Sequence, residues 1–183
     1  KRQALGSAAD AAAMANVYVN TNMAACGGLV AAMILASLLY GKVDLTLALN
    51  GALAGLVSIT AGPDVATPLQ AILIGAIGGI LCTLAIPLLD KLKIDDVVGA
   101  ISVHLVAGIW GTLVVGIPGL NGSGDFMTQL IGVVVIGVFV TVVSAIVWLV
   151  LKAVTGLRPS EEEEMTGLDV SELGMEAYPE FRN

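Results

Sequence analysis

His104 is the only histidine of the 183-residue chain, and its neighbours in ISVHLVAGIWGT (residues 101–112) are almost all apolar. A neutral imidazole accepts one hydrogen bond and donates another, and of the side chains only histidine ordinarily titrates near neutral pH. In a poorly solvated place the ring costs free energy unless its nitrogens find partners, and the neutral form is favoured there. At membrane depth an ionisable side chain marks a substrate or proton path by default; the competing reading is a satisfied structural histidine. The other reactive residues offer less. Cys26 and Cys82 sit in apolar runs without metal-ligand spacing, which predicts buried free thiols. The polar residues of VNTN (19–22), with Asn50, Ser58 and Thr60, read as hydrogen-bonding groups between helices more readily than as ligand contacts. The sequence carries no nucleotide-binding loop, zinc motif or nucleophile with its base. Neither a metal, another cofactor nor a nucleic-acid partner is therefore expected, and with so few titratable side chains in the apolar runs an enzyme is not expected either.

The medium that holds His104 follows from composition. Hydrophobic residues make up 57% of the chain and charged residues 13%, against roughly a quarter charged in an ordinary soluble domain; mean hydropathy is +0.93. Eight of the fifteen acidic residues fall in 157–183, while the apolar runs between Ala11 and Val150 are almost free of charge. This pattern predicts an all-α polytopic membrane protein: a transmembrane domain over 1–156 and an acidic tail over 157–183.

A spanning helix needs roughly 20 apolar residues, and five runs reach or approach that length: 12–40, 44–62, 67–89, 97–117 and 127–151. Thr67, Pro68 and Gln70 supply a cap, a proline at the first helical position and a capping-box partner, and Asp96 and Asp125 can cap the fourth and fifth helices. Helices in lipid associate through small residues that let backbones approach. Gly51 with Gly55, Gly75 with Gly79, and AACGG at 24–28 are the packing candidates. Along a straight α-helix from Asp96, His104 lies about 12 Å into the membrane. Its own helical face is Val97, Ala100, Ile101, Ala107, Gly108 and Gly111. Those residues are mostly small, so the face suits a close neighbour or an open path.

Basic residues are retained on the cytoplasmic side. Lys42 follows the first run, Lys91 and Lys93 the third, and Lys152 and Arg158 the fifth, whereas 62–66 and 118–124 carry none. The tail is therefore expected in the cytoplasm. Lys1 and Arg2 run against this orientation, and the chain is expected to begin within a longer protein.

The stretch KIDDVVGAISVHLVAGIWGTLVVGI (93–117) resembles the tenth membrane helix of the ammonium transporter family, which includes methylammonium permeases and Rh proteins. VYVNTNMAA (17–25), NGALAGLVSITAG (50–62), GAIGGI (75–80) and the tail GLRPSEEEEMTGLDVSELGMEAYPEF agree with the family in the same order. The resemblance covers nearly the whole chain and implies the second half, helices 7 to 11 plus the tail, of an eleven-helix inverted-repeat fold. One departure is Leu105, where many members carry glycine.

The resemblance implies transport of ammonium or ammonia through a narrow apolar pore in a plasma membrane, with His104 as the second of two pore histidines and Ala100, Ala107 and Gly108 beside it. The first histidine and the outer recruitment residues belong to family regions without a counterpart here. The resemblance also implies a homotrimer, and a regulatory tail that contacts the neighbouring subunit and governs docking of PII-type signalling proteins. Arg158, Glu161, Gly167, Asp169 and Tyr178 are the tail residues so implicated. Two other classes stay open on the residues themselves: a haem-binding anchor subunit that uses His104 as an axial ligand, and a purely structural helix bundle.

Overall fold

The computed structural model describes residues 6–122 and 124–181, so Lys1 and Arg2, which bear on the orientation, lie outside the described residues. The described residues form helices and no strands. Helix α1 (Ala8–Tyr40) starts where the Ser7 side chain accepts from the Asp10 amide, and stops at Gly41, whose left-handed backbone (φ 73°) returns its N–H to the Ser37 carbonyl. Helix α2 (Leu45–Ile59) is capped by the Asp44 carboxylate. Helix α3 (Pro68–Lys91) opens with the Thr67–Gln70 capping box and Pro68. The Asp125 carboxylate accepts from the Thr128 amide at the start of α5 (Phe126–Val154).

Helices α1, α3 and α5 are long and apolar enough to cross a membrane. Helix α2 and the helical stretch Ala100–Val114 are shorter; at 15 residues, α2 is about 22 Å long, less than the roughly 30 Å of hydrocarbon.

Three helices meet at glycines. Gly28 of α1 lies against the Gly51 carbonyl and the Gly55 main chain of α2, and Gly79 of α3 lies against the Gly28 carbonyl. Gly55 and Gly75 both face the Ala24 carbonyl. A Cβ on any of these glycines would collide with the backbone of the neighbouring helix, so the three axes sit as close as they do only because no side chain intervenes. Ala24, Ile59, Ala71, Ile74 and Val114 fill one buried cluster beside this junction, and Ala54, Cys82, Val103 and Ala107 fill a second. Polar groups hold the connections: Asn20, fully buried, donates from Nδ2 to the carbonyls of Pro63 (2.8 Å) and Ala66 (2.5 Å) and so ties α1 to the α2–α3 turn. Asn22, Ser58 and Thr60 instead bond carbonyls of their own helices.

The segment that follows α3 departs from the sequence expectation. In place of an α-helix over 97–117, the chain turns through Gly99 (φ 75°), winds as a π-helix over Ala100–Val106 and becomes α-helical only in α4 (Ala107–Val114). The cause lies upstream. Both Asp96 carboxylate oxygens reach past the turn, accepting from the amides of Ile101 and Ser102 (2.9 Å each) and from the Ser102 hydroxyl (3.0 Å). Asp96 does act as a cap, but on residues five and six positions ahead, and the depth reckoned along a straight α-helix does not apply to His104.

The first compact unit ends within α5 at Ile136, and the second begins at Gly137. None of the residues of α5 is buried. In the second unit the tail forms α6 (Glu161–Thr166), entered through a reciprocal Ser160–Glu163 capping box, then α7 (Leu168–Leu173) and a short 3-10 turn at Pro179–Phe181.

Candidate functional site

Where the π-helical segment passes into α4, the helix and the C-terminal end of α2 border an open cavity of about 530 Å³. His104, Gly108, Gly111 and Thr112 line it from one side, and Val57, Thr60 and Ala61 from the other. His104 and Gly108 are thus brought together. Ala107 is not on this wall: it is fully buried in the cluster with Ala54, Cys82 and Val103. Ala100 is exposed and does not border the cavity. The lining follows positions 104, 108, 111 and 112, and the wider turn of the π-segment separates His104 from the residues before it.

The two walls meet at glycines of α4. Gly111 packs against the Ser58 main chain, and Gly108 lies near Val57. Trp110, on another face of α4, donates from Nε1 to the Ile74 carbonyl at 3.0 Å and anchors the helix to α3. Among the described residues the imidazole is the only titratable side chain on the lining, and its ring has no hydrogen-bond partner there. Such a wall offers apolar contact, one imidazole and two threonine hydroxyls. The described residues contain no group of His, Cys, Asp or Glu able to hold a metal ion.

Beneath the site, Asp96 fixes the helix start. Burial works against ionisation of its carboxyl, but the donated bonds from Ile101 and Ser102 outweigh it and hold the group below the ordinary carboxylate value. Of the two thiols, Cys82 is buried as expected, and Cys26 is exposed on α1. Sequence reasoning missed Val57, Ala61 and Thr112. The spacing of Thr112, eight residues beyond His104, is a helical repeat that would have found it; nothing in the sequence alone says that Val57 lies opposite.

The tail residues form their own cluster in the second unit. Arg158 pairs with Glu164 at 3.2 Å, both partners solvated. Glu161 opens α6, and Gly167 (φ 99°) separates α6 from α7. Asp169 accepts from the Ala177 amide at 2.8 Å, which with lesser backbone bonds keeps its carboxyl low. Tyr178 is 69% exposed.

The profile of the Ammonium Transporter Family matches residues 4–178. The chain belongs to the ammonium transporter family. The relatives that it matches are named ammonium transporters, and among the described residues three helices are long and apolar enough to cross a membrane. Ammonium transporter Amt2 of Archaeoglobus fulgidus is 39% identical over 180 residues, a match that covers 88% of this chain and 38% of that protein. Ammonium transporter Amt1 of Haloferax mediterranei is also 39% identical, over 93% of this chain and 34% of its own length. The chain therefore spans little more than a third of these family members. Among solved structures, a protein described as Sensor Amt Protein superposes with a TM-score of 0.81 at 36% identity, covering 87% of this chain and 42% of that one. Candida albicans Mep2 superposes with a TM-score of 0.74 at 27% identity, covering 92% and 43%. The family leaves the haem-anchor reading of His104 without support.

Proposed function

We propose that this chain supplies the second half of an ammonium transporter and that the groove beside His104 forms part of the conducting path. The observation that carries the reading is His104 opening, with Gly108 and Gly111, onto a small-residue cavity in a chain of this family. Apolar walls make an intact cation costly to carry, and a neutral imidazole exchanges hydrogen bonds or a proton with a small nitrogen base. In this reading His104 meets a second imidazole that this chain does not supply. The five apolar helical segments cross the plasma membrane, the tail lies in the cytoplasm, and three copies assemble with a pore each. The acidic tail touches the adjacent subunit, and Arg158, Glu161, Gly167, Asp169 and Tyr178 form the surface read by a PII-type signalling protein.

The deciding test is His104→Leu in the full-length transporter. Leucine keeps bulk and removes both ring nitrogens. The variant is expected to insert normally while proton-coupled ammonium current is lost or altered; wild-type current at equal surface abundance would show that His104 is structural only.

A further inference from the structure

Two chain connections meet just beyond the α2 wall of the cavity, and side-chain amides tie each to the other. Asn121, in the connection from α4 to α5, donates from Nδ2 to the Gly62 carbonyl at 3.0 Å. Gln70, in the first turn of α3, donates from Nε2 to the Gly119 carbonyl at 2.9 Å. The bonds run in opposite senses: Asn121 reaches into the α2–α3 connection, and Gln70 reaches from the start of α3 into the α4–α5 connection. The Gln70 amide has no freedom to turn over, because its Oε1 accepts from the Thr67 amide at 2.8 Å and leaves the two N–H donors for Gly119. Asn20 grips the α2–α3 connection from α1, at the Pro63 and Ala66 carbonyls, while its own buried Oδ1 has no partner among the described residues. Leaving a buried acceptor unpaired is costly, so the placement of this connection is held against that cost. Ile117 and Leu120 add apolar contact, packing against the cluster that contains Ile59 and Ala66.

We propose that Asn121 and Gln70 are positioning residues, a clasp between the two connections that fixes how far apart the cavity walls stand where α2 and α4 run out, and thereby limits the size of the cargo. The inference rests on the transport reading above and assigns its size limit to residues outside the lining. Thr60 and Ala61 are the lining residues at the end of α2, and the clasped carbonyl belongs to the next residue, Gly62. Ser58, on the other side of them, is pinned by the backbone contact with Gly111. The Thr60–Ala61 segment is therefore held at both ends, each time by the chain that carries Thr112 on the opposite wall. Neither Asn121 nor Gln70 borders the cavity, so each acts on it only through the connections that it holds.

The test uses the full-length transporter with Asn121→Ala and, separately, Gln70→Glu. Alanine removes the donor to Gly62; glutamate removes the donor to Gly119 while its oxygens keep the capping box with Thr67. Uptake of ammonium and of methylammonium is measured in the same membranes and taken as a ratio, so that the amount of inserted protein cancels. A charge introduced at residue 70 acts on both cations alike and also drops out. Each variant is expected to raise methylammonium uptake relative to ammonium by about threefold, the scale of one neutral hydrogen bond. An unchanged ratio in either inserted variant overturns the clasp as a positioning device, even where the unfolding temperature falls, because a merely structural tie lowers stability without altering selectivity. Should one variant fail to insert, the other decides by the same ratio. Wild-type membranes that take up neither ion would sink the transport reading itself; wild-type uptake with the ratio unmoved in a variant sinks only the clasp.

Discussion

Gly111 of α4 rests on the main chain of Ser58 in α2: a Cβ built there would stand 2.6 Å from the Ser58 carbonyl oxygen and 2.9 Å from its Cα. That approach sets the spacing of the two helices that line the cavity, because Ser58 lies between Val57 and Thr60 on one wall, and Gly111 between Gly108 and Thr112 on the other. Ser58 is itself fixed, with its hydroxyl donating to the Ala54 carbonyl at 2.7 Å.

Gly111→Ala should force α4 away from α2. Overpacking of this kind costs about 1–3 kcal/mol, and the obstacle is backbone, which has no rotamer to yield. In the full-length protein we expect a lower thermal unfolding midpoint together with reduced ammonium flux per inserted molecule. Wild-type values of both would mean that the two helices have slack at this contact.

Gly75→Ala should be the more severe change. Its Cβ would strike the Ala24 main chain where α1, α2 and α3 meet, closer than a Cβ at Gly111 would stand to Ser58, and that backbone has no rotamer to yield. Gly132 on α5 has open space at the same position, so Gly132→Ala should be neutral or gain up to about 1 kcal/mol from helix propensity. Detergent-solubilised yield and unfolding temperature of the pair separate the two cases, and equal behaviour would refute the junction as the critical contact.

Asp96→Asn should remove an acid-side contribution to stability. The Asp96 carboxyl is lowered from its ordinary 3.8 in the folded chain by the bonds from Ile101 and Ser102. A depressed folded pKa means that this stabilisation is complete above the unfolded value and is lost as pH falls through the folded one. The wild type should therefore lose more stability than the variant below about pH 4, while near neutral pH the variant should be the weaker of the two. Unfolding temperature measured from pH 7 down to pH 3 checks both arms; parallel curves would show that Asp96 does not hold the π-segment.

Much about this chain followed from local chemistry. Charge-poor runs have to leave water as helices, because every backbone N–H and C=O must find a partner inside the segment. The Thr67–Gln70 and Ser160–Glu163 boxes form as their three-residue spacing requires. The glycine pairs at 51/55 and 75/79 repeat at a helical turn and announce a close contact, although not with which helix. His104 stands out for the same reason: an ionisable group within an apolar run is rare enough to be read without coordinates.

Tertiary structure decided everything that depends on what lies opposite. Ala107 and Gly108 are adjacent and similar in sequence, yet Ala107 is sealed against Ala54, Cys82 and Val103 while Gly108 opens onto the cavity. Cys26 and Cys82 look alike in their runs, and only packing exposes one and buries the other. The π-winding of Ala100–Val106 is the clearest case. It arises because Asp96 captures amides five and six residues ahead rather than two or three, a choice available only once Gly99 has turned the chain and α3 covers the segment. Spacing along a helix is a local property of the chain, whereas the face that becomes a wall depends on the surface of a second helix remote in sequence.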